Sequence, residues 1–405
     1  MRKLLWPLGL AATLFSPFFS HAQTSNAPLT LAGTLERVLA YSPGISAALH
    51  EVEATQGAIQ QAGALRNPTF STVVEDTRRD TRTTTATLDF VLELGGQRGA
   101  RVNVATRASE IAQAQLSHAR AQARASAIAG YFTMLLAQER SKLAANSAEL
   151  AARGAEAVAR RVAAGKVSPV DAMRARVDAA NAGLEWAQAQ AELQGARQAL
   201  AALWGESAPV DFAVEGDVTA VPSRDSVAAL ALELEDAPML RAGRLEAERR
   251  RAQVEVERGK ALPDVTLSVG AKRDNEAGRT QAVIGLSMPL PVFDRNQGAV
   301  SEAGKRAQQA DDELALLRTR ALTELQQAAS QLALARSSLQ VLMGAVLPAA
   351  QEALAAATQG FDAGKFGLID VLDAQRSLLQ ARTRYLNTLA TAYQAATAID
   401  RVLGR

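Results

Sequence analysis

Apolar side chains along this chain recur with two different periods, and the switches between them mark the elements. From Gly99 to Ala164 there is no proline, and Ala, Leu, Ile and Val recur at helical spacing among Gln, Arg and Glu, which predicts one amphipathic helix. At 1.5 Å per residue it would span roughly 100 Å, whereas a globular helix averages about 11–12 residues. So long a helix needs a lateral partner along its length. The stretch Pro169 to Trp204 supplies one by returning. The pattern repeats from about Asn296 to Ala363, with Pro348 marking a kink or break, and returns over Leu368 to Leu403.

Elsewhere the period is two. Ala86, Leu88, Phe90, Leu92 and Leu94 share one face, and Thr87, Asp89, Val91 and Glu93 the other. Val265, Leu267 and Val269 alternate with Thr266 and Ser268, and Ile284, Leu286, Met288 and Leu290 continue the pattern. These are half-buried strands, each of about 9–12 residues, the length that crosses a bilayer when tilted. Thr69 to Val74 is the weakest member. The charged stretches Glu75 to Thr83 and Lys272 to Thr280 read as the loops between partners.

The order of elements occurs twice. Pro43 and Pro238 each open a helix, and Pro68 and Pro263 each end it at one common offset. Gly99-Ala100 and Gly298-Ala299, Ala164-Gly165-Lys166 and Ala363-Gly364-Lys365, Asp171 and Asp370, and Gly205 and Gly404 share a slightly larger one. The extra residues fall at the corner Met288-Pro289-Leu290-Pro291-Val292-Phe293. Each copy therefore reads helix, strand, strand, long helix, tight turn, helix. The expected division is a signal peptide over 1–22, a first repeat over 23–205, a linker over 206–226 and a second repeat over 227–405.

Composition fits long helices packed through small side chains. Alanine dominates and aromatics make up 4%. The 44 Lys and Arg against 42 Asp and Glu leave +2, too balanced for a nucleic-acid partner. Cysteine is absent, which excludes disulfides, thiolate metal sites and an acylated N-terminal cysteine. Arg2 and Lys3, the apolar run Leu4 to Phe19 and the small-x-small Ser20-His21-Ala22 read as a secretory signal, with the mature chain starting at Gln23. No later segment has about 20 uninterrupted apolar residues, so no transmembrane helix is expected.

Four strands cannot close a transmembrane barrel. Open edges in hydrocarbon leave unpaired backbone groups that cost several kcal/mol each, and the smallest closed bacterial barrels have about eight strands. Closure alone therefore calls for a dimer or a trimer.

The candidate functional residues lie at the two hairpin tips. Gly165 and Gly364 suit the left-handed position that ends a helix. Ser168 caps the next helix, Pro169 takes its first position and Asp171 its third. Gly367 and Asp370 start the second return helix in the same way. Asp89 and Glu93, on the polar strand face, would point into a barrel lumen. Beyond His21, only His50 and His118 remain, far apart in sequence, so no metal site or other cofactor is expected. No nucleophile elbow or metal-binding helix motif suggests an enzyme.

Two stretches resemble a known family. Met288-Pro289-Leu290-Pro291-Val292-Phe293-Asp294-Arg295-Asn296-Gln297-Gly298 is similar to the strand-to-helix corner of TolC-like outer-membrane efflux proteins of the heavy-metal branch, the outer components of cobalt–zinc–cadmium and copper–silver resistance pumps. Gly364-Lys365-Phe366-Gly367-Leu368-Ile369-Asp370-Val371-Leu372-Asp373-Ala374-Gln375 resembles the family's hairpin tip, and Gly165 to Met173 is its weaker twin. The resemblance implies a mixed α and β membrane protein, with four transmembrane strands and long α-helical coiled-coil hairpins per protomer. It implies a homotrimer whose twelve strands form one β-barrel in outer-membrane lipid above a periplasmic α-barrel. The tips would meet a periplasmic membrane-fusion adaptor coupled to an inner-membrane resistance–nodulation–division pump. Passive export of heavy-metal cations is the expected function. Ducts of this kind also serve drug efflux and type I secretion, and a periplasmic coiled-coil adaptor shares the long helices without needing the strands.

Overall fold

The computed structural model describes residues 28–208, 211–217 and 219–405; the signal-peptide region and His21 lie outside them. The first repeat holds α1 (Leu31–Tyr41), α2 (Pro43–Gly63), β1 (Thr69–Glu75), β2 (Thr83–Leu92), α3 (Gln97–Ala163) and α4 (Pro169–Ala202). The second holds α5 (Val227–Leu234), α6 (Pro238–Lys260), β3 (Val265–Asp274), β4 (Arg279–Ser287), α7 (Gln297–Val341), α8 (Leu347–Asp362) and α9 (Leu368–Leu403). In both halves a helical pair leads into two strands, a long helix and a returning helix, the second half having its long helix broken between α7 and α8.

Helix α3 runs 67 residues, about 100 Å, and packs along α4, α2 and α6. Helix α7 shows why such rods pair. Ala321, Leu325, Ala328, Leu332, Ala335, Leu339 and Leu342 are all buried and alternate four and three residues apart. That is a 3.5-residue repeat, which keeps one seam on a partner helix. Small alanines let α7 approach α9, while the leucines fill the gaps between turns. On α4 the seam is Ala172, Ala175, Ala182 and Ala189.

The kink expected at Pro348 is a π-helical turn, Leu342–Val346. Proline has no N–H, and its ring crowds the carbonyl four residues back. The backbone widens, and the Leu347 N–H reaches five residues back to Leu342. Within Gln297–Phe361 one 18-residue stretch is apolar enough by length and composition to cross a membrane, although only 22% of it is buried. Polar residues interrupt it, so an uninterrupted apolar run does not reveal it.

The core forms a belt partway along the helices. Leu230 and Leu234 of α5, Leu240 of α6, Leu325 and Leu339 of α7, and Leu389 and Ile399 of α9 are at most 2% exposed. Phe132 of α3 stacks on Tyr393 of α9 with ring centroids 3.7 Å apart, which joins the repeats. The linker is pinned across this belt. Val214 bridges to Leu29 in parallel, the Gln138 amide exchanges two 2.9 Å bonds with Val214, and the Tyr393 hydroxyl donates to Ala220 O at 2.6 Å. Burial pushes that hydroxyl's pKa up to about 12.

The strands form one antiparallel sheet in the order β1-β2-β3-β4. Several boundaries differ from the sequence expectation: β3 runs on to Asp274, and β4 stops at Ser287, short of Met288 and Leu290. β2 and β4 begin earlier, at Thr83 and Arg279, because charged and Thr-rich positions taken for loop continue the ladder. β1 has only 7 residues. β2 ends at Leu92, one residue short of Glu93, where Gly95 and Gly96 at φ +71° and +69° turn the chain into α3.

Candidate functional site

The register places like with like across all four strands. Phe70, Leu88, Val269 and Ile284 form one row, with Phe90, Leu267 and Leu286 beside it. On the other face Thr69, Asp89, Ser268 and Gly285 form a row, next to Ser71, Thr87, Gly270 and Val283. The apolar row is the open one: Phe70, Leu88, Val269 and Ile284 are 69%, 38%, 47% and 79% exposed. Asp89, Ser268, Gly270 and Gly285 are half-buried. A sheet in water does the reverse. Here the apolar face is the more exposed one and the polar face the more covered. Among the described residues its two outer strands, β1 and β4, each have one partner.

Three acids, Glu75, Asp89 and Asp274, share the polar face with Lys272 and Arg279. Lys272 reaches Glu75 at 3.8 Å, and the Ser71 hydroxyl lies 3.5 Å from Asp89. Glu93 does not join them. Just past β2 its carboxylate accepts from Arg101 Nη1 at 2.8 Å and Nη2 at 2.9 Å, and from Arg66 Nε at 3.0 Å. Its side chain is 8% exposed. Strand parity pointed it at a lumen; the end of β2 turns it into a clamp between the sheet and α3.

That clamp belongs to a collar at the helix-facing end of all four strands. Arg66 Nη1 also reaches Asp264 at 3.4 Å, and Gln97 donates to Asp264 at 2.8 Å. Asn296, at φ +59° where α7 begins, donates to Glu257 O and Oε2 at 2.8 and 3.0 Å. At the far end the Asn275 amide ties the two loops together, donating to Arg79 O at 3.0 Å.

Both hairpin tips use one backbone device. The Gly165 N–H donates to Val162 O and the Lys166 N–H to Arg161 O, each at 2.9 Å. The Gly364 and Lys365 amides repeat this with Phe361 O and Gly360 O at 3.0 and 2.8 Å. These paired bonds close a helix around a left-handed residue, and Gly165 and Gly364 have φ +68° and +71°. Ser168 Oγ accepts from the Val170 N–H at 3.2 Å, with Pro169 at the first helical position and Asp171 in the first turn. Gly367 has no side chain to cap with, so only the reciprocal bond forms, from its N–H to Asp370 Oδ2 at 2.8 Å. Two cross-repeat contacts were not visible in the sequence. The Arg161 guanidinium lies 4.2 Å over the Phe361 ring, and Arg376 of α9 meets Asp178 of α4 at 3.0 Å. Beside the latter runs a groove of about 730 Å³ between α3, α4 and α9.

His50 is exposed beside Glu53. His118 is on α3, half-buried, and burial with nearby Arg401 lowers its pKa. Among the described residues no three His, Asp or Glu side chains converge to hold a metal ion.

A sheet that turns apolar side chains outward, mounted on a long helical stalk, is the build of an outer-membrane channel subunit rather than an enzyme. The chain belongs to the outer membrane efflux protein family, whose model matches residues 34–206 and 229–405. It is 50% identical over 418 residues to the cobalt-zinc-cadmium resistance protein CzcC of Cupriavidus metallidurans, covering 100% of both chains. It is 30% identical over 337 residues to the nickel and cobalt resistance protein CnrC of the same organism, covering 81% of this chain and 78% of that one. Among solved structures, the outer membrane protein VceC from Vibrio cholerae superposes with a TM-score of 0.77 at 23% identity, over 92% of this chain and 96% of that one. CusC gives 0.77 at 17% identity, over 92% and 91%. These likenesses establish a shared fold.

Proposed function

We propose that three copies of this chain close into a twelve-stranded barrel in the outer membrane, continued by a periplasmic tunnel of helical hairpins, and that the duct passively conducts heavy-metal cations outward. The observation that carries the membrane reading is the outward apolar row Phe70, Leu88, Val269 and Ile284 on a sheet with two unpaired edges. In hydrocarbon those edges need strands from neighbouring copies. The stalk asks for neighbours too: Val170, Met173, Val177 and Leu184 of α4 are 54–70% exposed at three-, four- and seven-residue spacing, a second seam left without a partner.

In this arrangement Asp89 lines the lumen, while Glu93 stays bound in the collar. The tips, at Gly165, Ser168, Pro169, Asp171, Gly364, Gly367 and Asp370, face the closed end and meet a periplasmic membrane-fusion adaptor coupled to an inner-membrane resistance–nodulation–division pump, which supplies the energy. Metal cargo is supported by the 50% identity to a cobalt-zinc-cadmium resistance protein over the full chain. A duct needs no chelating site of its own for that role, only a wet polar wall. The test is a deletion strain complemented with the wild-type chain. Restored tolerance to zinc, cobalt or cadmium supports the assignment; unchanged metal tolerance with raised sensitivity to dyes or antibiotics overturns it.

A further inference from the structure

We infer that the collar holds the headgroup of a zwitterionic phosphoethanolamine phospholipid at the edge of the membrane; this rests on the barrel reading above. A cavity of about 640 Å³ opens there between the ends of α2, α6 and β4, within the range of ligand pockets. Its walls combine Arg66, Lys260, Asp264 and Asp294 with Leu290 and Phe293. Leu290 is 74% and Phe293 92% exposed, in the corner between the end of β4 at Ser287 and the start of α7. Exposed apolar side chains thus follow one another along the chain from Ile284 and Leu286 on the sheet through Met288 and Leu290 to Phe293 beside the charged collar. Acyl chains would lie on the sheet, and a headgroup at their end would reach the cavity.

The charges select the headgroup. Glu93 already engages Arg101 through two bonds and Arg66 through Nε, Asp264 takes Arg66 Nη1 at 3.4 Å, and Glu257 takes one N–H of Lys260 at 2.8 Å. These cations are neutralised by their partners, so an anion entering alone would add an unbalanced charge to a partly desolvated ring. The Nη2 of Arg66 and two N–H groups of Lys260 are left to donate to a phosphate. Asp264 is already taken by Arg66 and Gln97, whereas Asp294, which lines the same cavity, accepts only from the Asn296 N–H through Oδ1 and can receive an ammonium. A phosphoethanolamine group carries both charges and brings no net one.

The experiment uses the full chain, purified as its oligomer and examined by native mass spectrometry with added phosphatidylethanolamine or phosphatidylglycerol. The wild type is expected to retain phosphatidylethanolamine about tenfold more strongly than phosphatidylglycerol, a difference of roughly 1.4 kcal/mol. Lys260→Ala and, independently, Phe293→Ser should each remove most of that preference while leaving the oligomer intact. Equal retention of the two lipids, or variants that bind as the wild type does, overturns the site. Loss of the oligomer in Phe293→Ser assigns the corner to contact between copies and also overturns it. Recovery of the wild-type chain in the soluble fraction would sink the barrel reading itself, a result separable from a stable membrane oligomer without lipid preference.

Discussion

Replacing Ile284 with lysine tests the outward face most directly, because its neighbour Val283 is a built-in control. Ile284 stands near mid-strand in the row with Val269, Leu88 and Phe70, and is 79% exposed. Val283 points the other way, opposite Gly270 and beside Thr87. If the apolar row meets lipid, a lysine at position 284 places an ammonium near the bilayer midplane, at about 2–4 kcal/mol per chain. In the proposed homotrimer the lesion is repeated three times, for roughly 6–12 kcal/mol in total. That matches the whole stability of many domains, about 5–15 kcal/mol. At position 283 the same lysine reaches a polar, hydrated interior and should cost within about 1 kcal/mol. Urea unfolding of vesicle-embedded protein, read alongside recovery in the membrane fraction, measures both. Ile284→Lys should assemble poorly or unfold at markedly lower urea, with Val283→Lys near wild type. Equal losses, or the greater loss at 283, would refute the assignment of faces.

Three further outcomes follow from the geometry. Gly364→Ala meets no neighbouring atom, so its cost is the left-handed backbone alone, about 1–2 kcal/mol; hydrogen exchange should show the Gly364 and Lys365 amides losing protection while the belt keeps its own. Arg224→Ala removes the guanidinium that bonds both oxygens of Asp400, whose side chain is 12% exposed; a loss of about 2 kcal/mol should lower the thermal midpoint, and Arg224→Lys should recover only part of it. Glu257 is held below its ordinary value of 4.5, chiefly by Lys260 and then by Asn296. A depressed carboxyl contributes stability that is complete above the unfolded value and lost as pH falls through the folded one. The urea midpoint should therefore drop between about pH 5 and pH 3, and Glu257→Gln should flatten that portion of the curve.

The helices were legible because their signals are local. Leu368–Leu403 emerges with the bounds read from the sequence, since Gly367 and Gly404 stop it at both ends and no proline interrupts it. The tips were legible for the same reason: only glycine holds a left-handed position at so little cost. Strand ends were not, because Arg279 and Thr280 are as polar as any loop residue yet pair with Asp274 and Arg273. Glu93 shows the limit of parity. Alternation fixes a face only while the strand lasts, and two glycines end it one residue earlier. The pairs Arg376–Asp178 and Arg161–Phe361 join positions about two hundred residues apart, and no periodicity announces which turn of one repeat lies against which turn of the other.

The lone flanks of β1 and β4 also bear on how the duct is built. A single subunit has two raw flanks, an open pair of subunits still has two, and only ring closure removes them. No partial ring gains the benefit of the finished one, so assembly should be cooperative and should respond steeply to subunit supply. The same arithmetic makes the gene vulnerable to poisoning. If the ring is the proposed trimer, and healthy and flank-defective subunits are made in equal amounts and mix freely, only about one ring in eight contains three sound copies.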